Sequence, residues 1–368
     1  MPILWRYLQK ELFRVLSLCI AAFVSILLVS RAQDIARFAS SGAPIKAILL
    51  FSLYQIPSIL PLAIPIACLI ATLLLFQRLS HTQELTALRA CGLSMGTIAY
   101  PLLLTGLLLS LLNFSIVSEL SPYCRILTKK LTYEVTASNP LFMLQKGTLV
   151  KIKDTFIDMR MLRMGKVAED VMLIINNSSQ ERLNIVTAKQ FTLEGDQLKG
   201  ENVTLISTVD SKQEGYDHLI IENQTTMSTK ASNLSQFIQN TDWYSNYDYL
   251  PLRMVLVKNA YDKTASHSRL HMVKNRAQQE ICKRISLGIA AFTFTVIGIA
   301  FGMEIGRNRK KKGIIWAILL SAFFLICFTT AKSWRHHPFA PCLAYLLPHP
   351  IIILISFRAF KRVSKGVE

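Results

Sequence analysis

Five stretches of this chain contain no charged side chain: Ala47–Gln77, Ala90–Ser118, Ile285–Met303, Gly313–Ala331 and His336–Phe357. A helix needs roughly 20 apolar residues to cross the hydrocarbon core of a bilayer. Inside that core every backbone N–H and C=O must find its partner within the segment, which leaves the α-helix as the solution for an isolated apolar run. A sixth run, Val15–Ser30, is shorter, but Arg14 and Arg31 flank it and can snorkel to the two interfaces. Its basic start followed by an apolar core also resembles a signal peptide. No small-residue cleavage site follows, and the run passes into Arg31, Asp34 and Arg37, so a retained span is expected. The prediction is six spans, three on each side of a polar insert.

Charge supports that division. Only 17% of residues are charged, against about a quarter in ordinary soluble domains. The net charge is +18, yet Leu131–Lys263 holds 14 basic and 16 acidic residues. The rest therefore carries 27 basic against 7 acidic groups, clustered at span ends. That pattern sets membrane topology and predicts no nucleic-acid partner, which would require a basic soluble face. With the N-terminus cytoplasmic, Arg6, Lys10 and Arg14 lie inside, as do Arg78, Arg89, the Arg307–Lys312 cluster and Arg358, Lys361, Arg362 and Lys365. Both termini are thus predicted to be cytoplasmic and the insert extracytoplasmic. Seven cysteines sit in or beside apolar runs and none within 131–263, so no disulfide framework is expected in the insert.

The expected domains are 1–122, with three spans and a cytoplasmic segment at 78–92; 123–268, the insert; and 269–368, with three spans and a cytoplasmic tail. Within the insert, Thr148–Lys153 and Glu201–Val209 alternate apolar and polar residues, and Met172–Ile175 and His218–Ile221 are short apolar runs. Turn signals at Asn176-Asn177, Glu194-Gly195-Asp196 and Glu214-Gly215 separate them, predicting an all-β sandwich or open barrel of short strands.

Two spans carry packing signals. Pro57, Pro61 and Pro65 recur on one face of span two and predict a kinked or locally opened helix. Gly298, Gly302 and Gly306 form a small-residue stripe that permits close helix approach.

Catalytic chemistry finds no support. Gly92-Leu-Ser94-Met-Gly96 fits a hydrolase nucleophile elbow, but a helix-forming stretch precedes it where a strand is needed. His267 and His271 are four apart without the Glu of a zinc-protease motif or a third ligand, and His336-His337 reads as an interfacial turn. No phosphate-binding P-loop motif occurs. No catalytic or metal site and no cofactor are predicted in this chain.

The connection between spans two and three is helical in character. Glu84–Ala90 places Leu85 and Leu88 beside Glu84 and Arg89, with Gly92 to end the turn. A surface-lying helix and a coupling helix docked into a cytoplasmic partner both fit this pattern.

At these residues the chain resembles a known family. The segment RLSHTQELTALRACGLS resembles the signature of the LptF/LptG (YjgP/YjgQ) permeases. YQIPSILPLAIPIACLIATLLLFQRLS before it and EICKRISLGIAAFTFTVIGIAFGMEIGRNRKKKG after the insert are similar to the same family. The likeness covers essentially the whole chain and leans towards LptF at span four; Cys91 departs from the small residue usual there.

The resemblance implies a half-transporter of the Gram-negative inner membrane. It would pair with a paralogous permease and two copies of a cytoplasmic LptB-like ATPase, which would bind the ATP and magnesium. Together they would extract lipopolysaccharide and deliver it through a periplasmic β-jellyroll-like domain to LptC/LptA-like bridge proteins. Glu84, Leu85, Leu88, Arg89 and Gly92 would then transmit ATPase closure. Arg31, Arg37, Lys46, Arg125, Lys129 and Lys130, at the outer ends of spans one to three, would meet lipid A phosphates; interfacial anchoring to anionic lipid is the alternative for each. Two other functions stay open at this point: a permease for another lipid or lipoprotein, and a non-transport scaffold with a periplasmic binding domain.

Overall fold

Leu4, Leu8, Leu12 and Leu16 recur every fourth residue, and this stripe carries helix formation back to the start of the chain. Leu8, Leu12 and Leu16 are fully buried, and helix α1 runs from Pro2 to Ser30. The first apolar span consequently begins at Ile3 rather than at Val15. The computed structural model describes residues 2–40, 43–138, 150–152, 155–163, 167–177, 182–194, 197–209, 218–230, 246–264, 270–303, 312–334 and 339–364. After α1 come α2 (Ala32–Ser40), α3 (Ile45–His81), α4 (Glu84–Ala90) and α5 (Met95–Ser115). A π-helical turn, Ile116–Leu120, leads into α6 (Ser121–Ser138). Past the strands lie a 3₁₀ turn (Tyr247–Tyr249), α7 (Leu252–Thr264), α8 (Leu270–Gly302), α9 (Lys312–Ser333), α10 (Ala340–Leu346) and α11 (Pro348–Ser364).

Six helical segments among the described residues are long and apolar enough to cross a membrane: Ile3–Ser30, Ile45–His81, Met95–Val135, Arg276–Gly302, Gly313–Ser333 and Ala340–Ser364. This is the six-span arrangement with an inserted β domain that the sequence predicts. The chain divides into two compact units: Met1–Arg31, Tyr54–Ile126 and Asn246–Glu368 form the helical one, and Ala32–Leu53 with Leu127–Ser245 form the other.

In the helical unit, α3 keeps Pro57, Pro61 and Pro65 inside one continuous helix of 37 residues. Each proline lacks the N–H that would donate to the carbonyl four residues earlier. Pro65 thereby orphans the Pro61 carbonyl. The fully buried Asn113 of α5 supplies the missing donor: its Nδ2 donates to Pro61 O at 3.3 Å and to Leu287 O of α8 at 2.7 Å. A neighbouring helix thus supplies the donor that the Pro61 carbonyl lacks within α3.

The glycine stripe lies on the face of α8 that meets α3. A Cβ at Gly298 would overlap the Thr72 hydroxyl and fall 2.8 Å from Leu69 O; one at Gly302 would lie 3.0 Å from Phe76 Cβ and 3.1 Å from Leu73 Cα. Gly306 lies outside the described residues. On its other flank α8 holds α11: Ser286 Oγ is 3.0 Å from His349 Nε2, and Thr293 Oγ1 is 2.9 Å from His349 Nδ1. Thr293 also donates its hydroxyl to Ile289 O at 3.3 Å. Phe294 of α8 packs edge-on against Phe324 of α9 at 5.3 Å, in an apolar cluster that includes Ile352 of α11.

The second unit contains a six-stranded antiparallel sheet in sequence order: β1 (Val150–Ile152), β2 (Thr155–Arg163), β3 (Val167–Asn177), β4 (Arg182–Glu194), β5 (Gln197–Val209) and β6 (His218–Lys230). Four of the strands run to 11–13 residues, longer than the sequence suggests. The predicted turn at Glu194-Gly195-Asp196 is consistent with Glu194 pairing directly with Gln197. Pairing skips Asp170, Lys189 and Asn202 in one row across β3, β4 and β5. Asp170 and Asn202 take left-handed φ values of 51° and 50° there, a conformation that Asp and Asn tolerate better than other non-glycine residues. Such a kink reverses which side chains face inward. Buried residues accordingly fall three apart across the row, as Ala168/Val171 and Ala188/Phe191, and one apolar face persists with Leu173, Leu198 and Val203. On the same unit's helical part, Phe38 stacks on Phe51 at 4.4 Å.

Adding a methyl at Gly298 should destabilise the helical unit by about 1–3 kcal/mol. The expected result for Gly298→Ala is a lower melting temperature of the purified protein in detergent, partly restored by adding Thr72→Ala. Equal melting of Gly298→Ala and wild type would contradict the close approach.

Candidate functional site

The segment between spans two and three is built by backbone geometry at both of its ends. Gln83 takes a left-handed φ of 61° directly before α4. At the other end Leu93 N–H donates to Leu88 O at 3.2 Å and Gly92 N–H to Arg89 O at 2.9 Å. That pair of bonds is a Schellman stop, and it requires the left-handed φ of 82° that Gly92 adopts without a Cβ penalty. Ser94 then caps α5, accepting from Thr97 N–H at 3.2 Å and lying 2.8 Å from Thr97 Oγ1. The Gly-x-Ser-x-Gly pattern is thus a helix stop followed by a helix start.

The side chains of α4 divide into two faces. Leu85 is fully buried in the apolar cluster that also holds Leu8, Leu12, Leu79, Met95 and Ile98, and half-buried Leu88 packs against that cluster. These two leucines fasten the helix to the bundle. Gln83, Thr86, Ala87 and Ala90, spaced as one helical face, are exposed. Glu84 is half-buried and accepts hydrogen bonds from Tyr7 Oη at 3.3 Å and Thr82 Oγ1 at 3.0 Å. Arg89 Nη2 donates to Ser364 O, at the end of α11, over 3.4 Å. Four of the five residues read from the sequence therefore share one short helix, which Gly92 ends, Glu84 ties to the first span and Arg89 ties to the last.

Sequence reasoning missed the partners of that helix. Tyr7 and Glu11 are one turn apart on α1, where Tyr7 meets Glu84 and Glu11 pairs with Arg78 at the end of α3. The available signal was a polar i, i+4 pair beside the leucine stripe, next to a chain segment that carries complementary groups. Ile3, Arg6, Tyr7 and Lys10 line an open groove of about 460 Å³.

The six basic residues read as phosphate ligands are distributed over several elements. Arg31 follows α1, Arg37 is on α2, Lys46 opens α3, and Arg125, Lys129 and Lys130 are on α6, with Arg125 and Lys129 one turn apart. Arg125 is half-buried and the others are exposed. Arg125, Lys129 and Lys130 share one helix.

A charged cluster that the sequence reading passed over lies at the start of span four. Arg284 is 1% exposed. Its Nε donates to Glu280 at 3.1 Å, Nη2 to Leu250 O at 2.7 Å and to Tyr247 O at 3.0 Å, and Nη1 to Ser118 O at 3.4 Å. Lys283 pairs with both Glu280 and Asp248 at 2.9 Å. Arg284 thus satisfies the carbonyls of the turn by which the chain re-enters the helical unit, and binds that turn to spans three and four. Burial alone raises the Asp248 carboxyl; the charge and hydrogen bond of Lys283, with Glu280 and Arg125 adding to them, outweigh it and hold the group below the usual carboxylate range.

A carboxyl held low stabilises the fold where it is ionised in both states, and that contribution is lost as pH falls through its folded value. The melting-temperature gap between wild type and Asp248→Asn should therefore be largest near neutral pH and shrink on acidification from about pH 5 to about pH 3. A gap independent of pH would contradict the ion pair.

The family model described as "Lipopolysaccharide export system permease LptF/LptG" matches residues 6–362. No curated protein matches the sequence.

Proposed function

Because the chain belongs to the LptF/LptG family of lipopolysaccharide export permeases, we propose that it extracts lipopolysaccharide from the Gram-negative inner membrane and hands it to a periplasmic bridge. The family is a transporter membrane subunit, not a catalytic enzyme. Work for extraction comes from a separate LptB-like ATPase, present in two copies and carrying the ATP and magnesium. A paralogous permease completes the membrane part. Both termini and α4 lie in the cytoplasm, and the β domain lies in the periplasm and contacts LptC/LptA-like proteins. The domain division 1–122, 123–268 and 269–368 follows from that topology.

The family match over residues 6–362 carries this reading. Support for the ATPase contact comes from α4: a short helix with a buried leucine face and an exposed face of Gln83, Thr86, Ala87 and Ala90. An ATPase that closes on ATP binding pushes on that exposed face. Leu85 and Leu88 pass the force into the bundle, while Glu84 and Arg89 pass it to Tyr7 and Ser364. The left-handed φ at Gln83 and Gly92 sets the angle at which the helix meets its partner. The six basic side chains contact the phosphates of the extracted lipid.

Affinity purification from native membranes should recover an ATPase and a second, sequence-related permease. Recovery of neither would overturn the assembly. Glu84→Lys should abolish lipopolysaccharide export while the protein still inserts, and Glu84→Gln, which keeps an acceptor for Tyr7 and Thr82, should retain more activity. Equal, wild-type export by both would remove Glu84 from the coupling path. Joint replacement of Arg31, Arg37, Lys46, Arg125, Lys129 and Lys130 by Gln should weaken photo-crosslinking to lipopolysaccharide at least several-fold; unchanged crosslinking would overturn the phosphate role.

A further inference from the structure

The first turns of α1 have two faces. Leu8, Leu12 and Leu16 are buried against the bundle, while Ile3, Arg6, Tyr7, Lys10, Arg14 and Ser17 recur three or four residues apart on the opposite side and are exposed. Arg6, Lys10 and Arg14 thus form a row of cations, each one turn from the next, with the exposed ring of Phe13 at its edge. Acidic groups nearby are engaged elsewhere. Glu11 pairs with Arg78 and reaches Arg14 only at 3.9 Å, and Glu84 accepts from Tyr7 and Thr82. Arg6 and Lys10 make no ion pair among the described residues. Together with Ile3 and Tyr7 they line the open groove of about 460 Å³.

Position along the helix says what this groove meets. At a rise of about 1.5 Å per residue, Lys10 stands about 30 Å from Ser30, the last residue of α1. That is the thickness of the hydrocarbon core. With Ser30 and Arg31 at one boundary, Lys10 stands at the other, and Arg6, one turn further out, reaches the layer of lipid phosphates. The exposed side continues from Lys10 through Ser17, Leu18 and Ala21 into the uncharged part of the helix. A molecule seated here therefore needs an anionic head for the cations and an apolar tail for the helix face below them.

We propose that the groove on α1 binds an anionic glycerophospholipid of the cytoplasmic leaflet, with its phosphate on Arg6 and Lys10 and an acyl chain along the helix below. The leaflet rests on the orientation given above for the permease. Arg6 offers a planar fork of donors to phosphate oxygens and Lys10 a compact charge, while their alkyl stems, Ile3 and the Tyr7 ring cover the glycerol and the upper part of the chain. A free phosphate ion lacks the tail that this face accommodates. Tyr7, one wall of the groove, also donates to Glu84 at 3.3 Å. The seated lipid thus packs against the ring that ties α1 to α4.

The test uses the full chain, purified from native membranes with the subunits that accompany it and reconstituted into vesicles of three parts phosphatidylcholine to one part phosphatidylglycerol. A trace of either lipid carries the same photoreactive group, and crosslinked peptides are identified by mass spectrometry. The phosphatidylglycerol probe should mark the Ile3–Arg14 segment several-fold more than the phosphatidylcholine probe, and excess inorganic phosphate should not compete. Joint Arg6→Gln and Lys10→Gln should remove that excess, whereas joint Arg358→Gln and Lys361→Gln, at two exposed cations of α11, should keep it. Equal marking by the two probes, equal loss in both variants, competition by phosphate, or crosslinking of this face to an accompanying protein in place of lipid would overturn the site. A membrane-impermeant maleimide should label Cys91, exposed after α4, in inside-out vesicles only. Labelling of Cys91 from the outer side would instead overturn the orientation, and with it the leaflet, while the ratio of the two probes still reports on the groove.

Discussion

The close approach of α8 to α3 and α5 is the contact on which the helical unit depends. Membrane helices gain little from hydrophobic burial against one another, because the surrounding lipid is equally apolar; packing and polar contacts must hold them. Gly298 and Gly302 remove the side chains that would hold α8 and α3 apart. Asn113 then bonds across the junction to Pro61 and Leu287. The proline that breaks the ladder of α3 is what makes its carbonyl available to α5. A local defect in one helix becomes the attachment point for two others.

Around that junction, polar contacts are placed at levels that join elements distant in sequence. Ser286 and Thr293 hold His349 between α8 and α11. Arg284 gathers the carbonyls of the re-entry turn and of the π-helical turn after α5. At the other end of the spans, α4 is held by two leucines underneath and by one tether on each side, Glu84 to Tyr7 and Arg89 to Ser364.

The legibility of these features in the sequence differed for physical reasons. Spans were readable because an uncharged run of sufficient length has one low-energy solution in hydrocarbon. The beginning of α1 was harder, because Arg6, Lys10, Glu11 and Arg14 interrupt the apolar run while the leucines between them still form a buried stripe. In the β domain, alternation marked strands but not their full lengths. The kinks at Asp170 and Asn202 switch the inward parity midway along a strand, so a strict period of two fails across the row although each half obeys it. In the segment between spans two and three, Glu84–Ala90, its apolar Leu85 and Leu88 and its Gly92 stop were readable from local rules. The tethers of Glu84 to Tyr7 and of Arg89 to Ser364 were not, because their partners lie far away in the chain.

Composition, the order of apolar runs and capping residues determined the span count, the position of the insert and the ends of α4, because each depends on interactions within a few residues or between a segment and its solvent. The tertiary structure decided which polar groups meet: Asn113 with Pro61, His349 with Ser286 and Thr293, Arg284 with Leu250, and Tyr7 with Glu84. Those pairs lie from 34 to 77 residues apart in the chain. No local propensity encodes them; they follow from the register in which the helices pack.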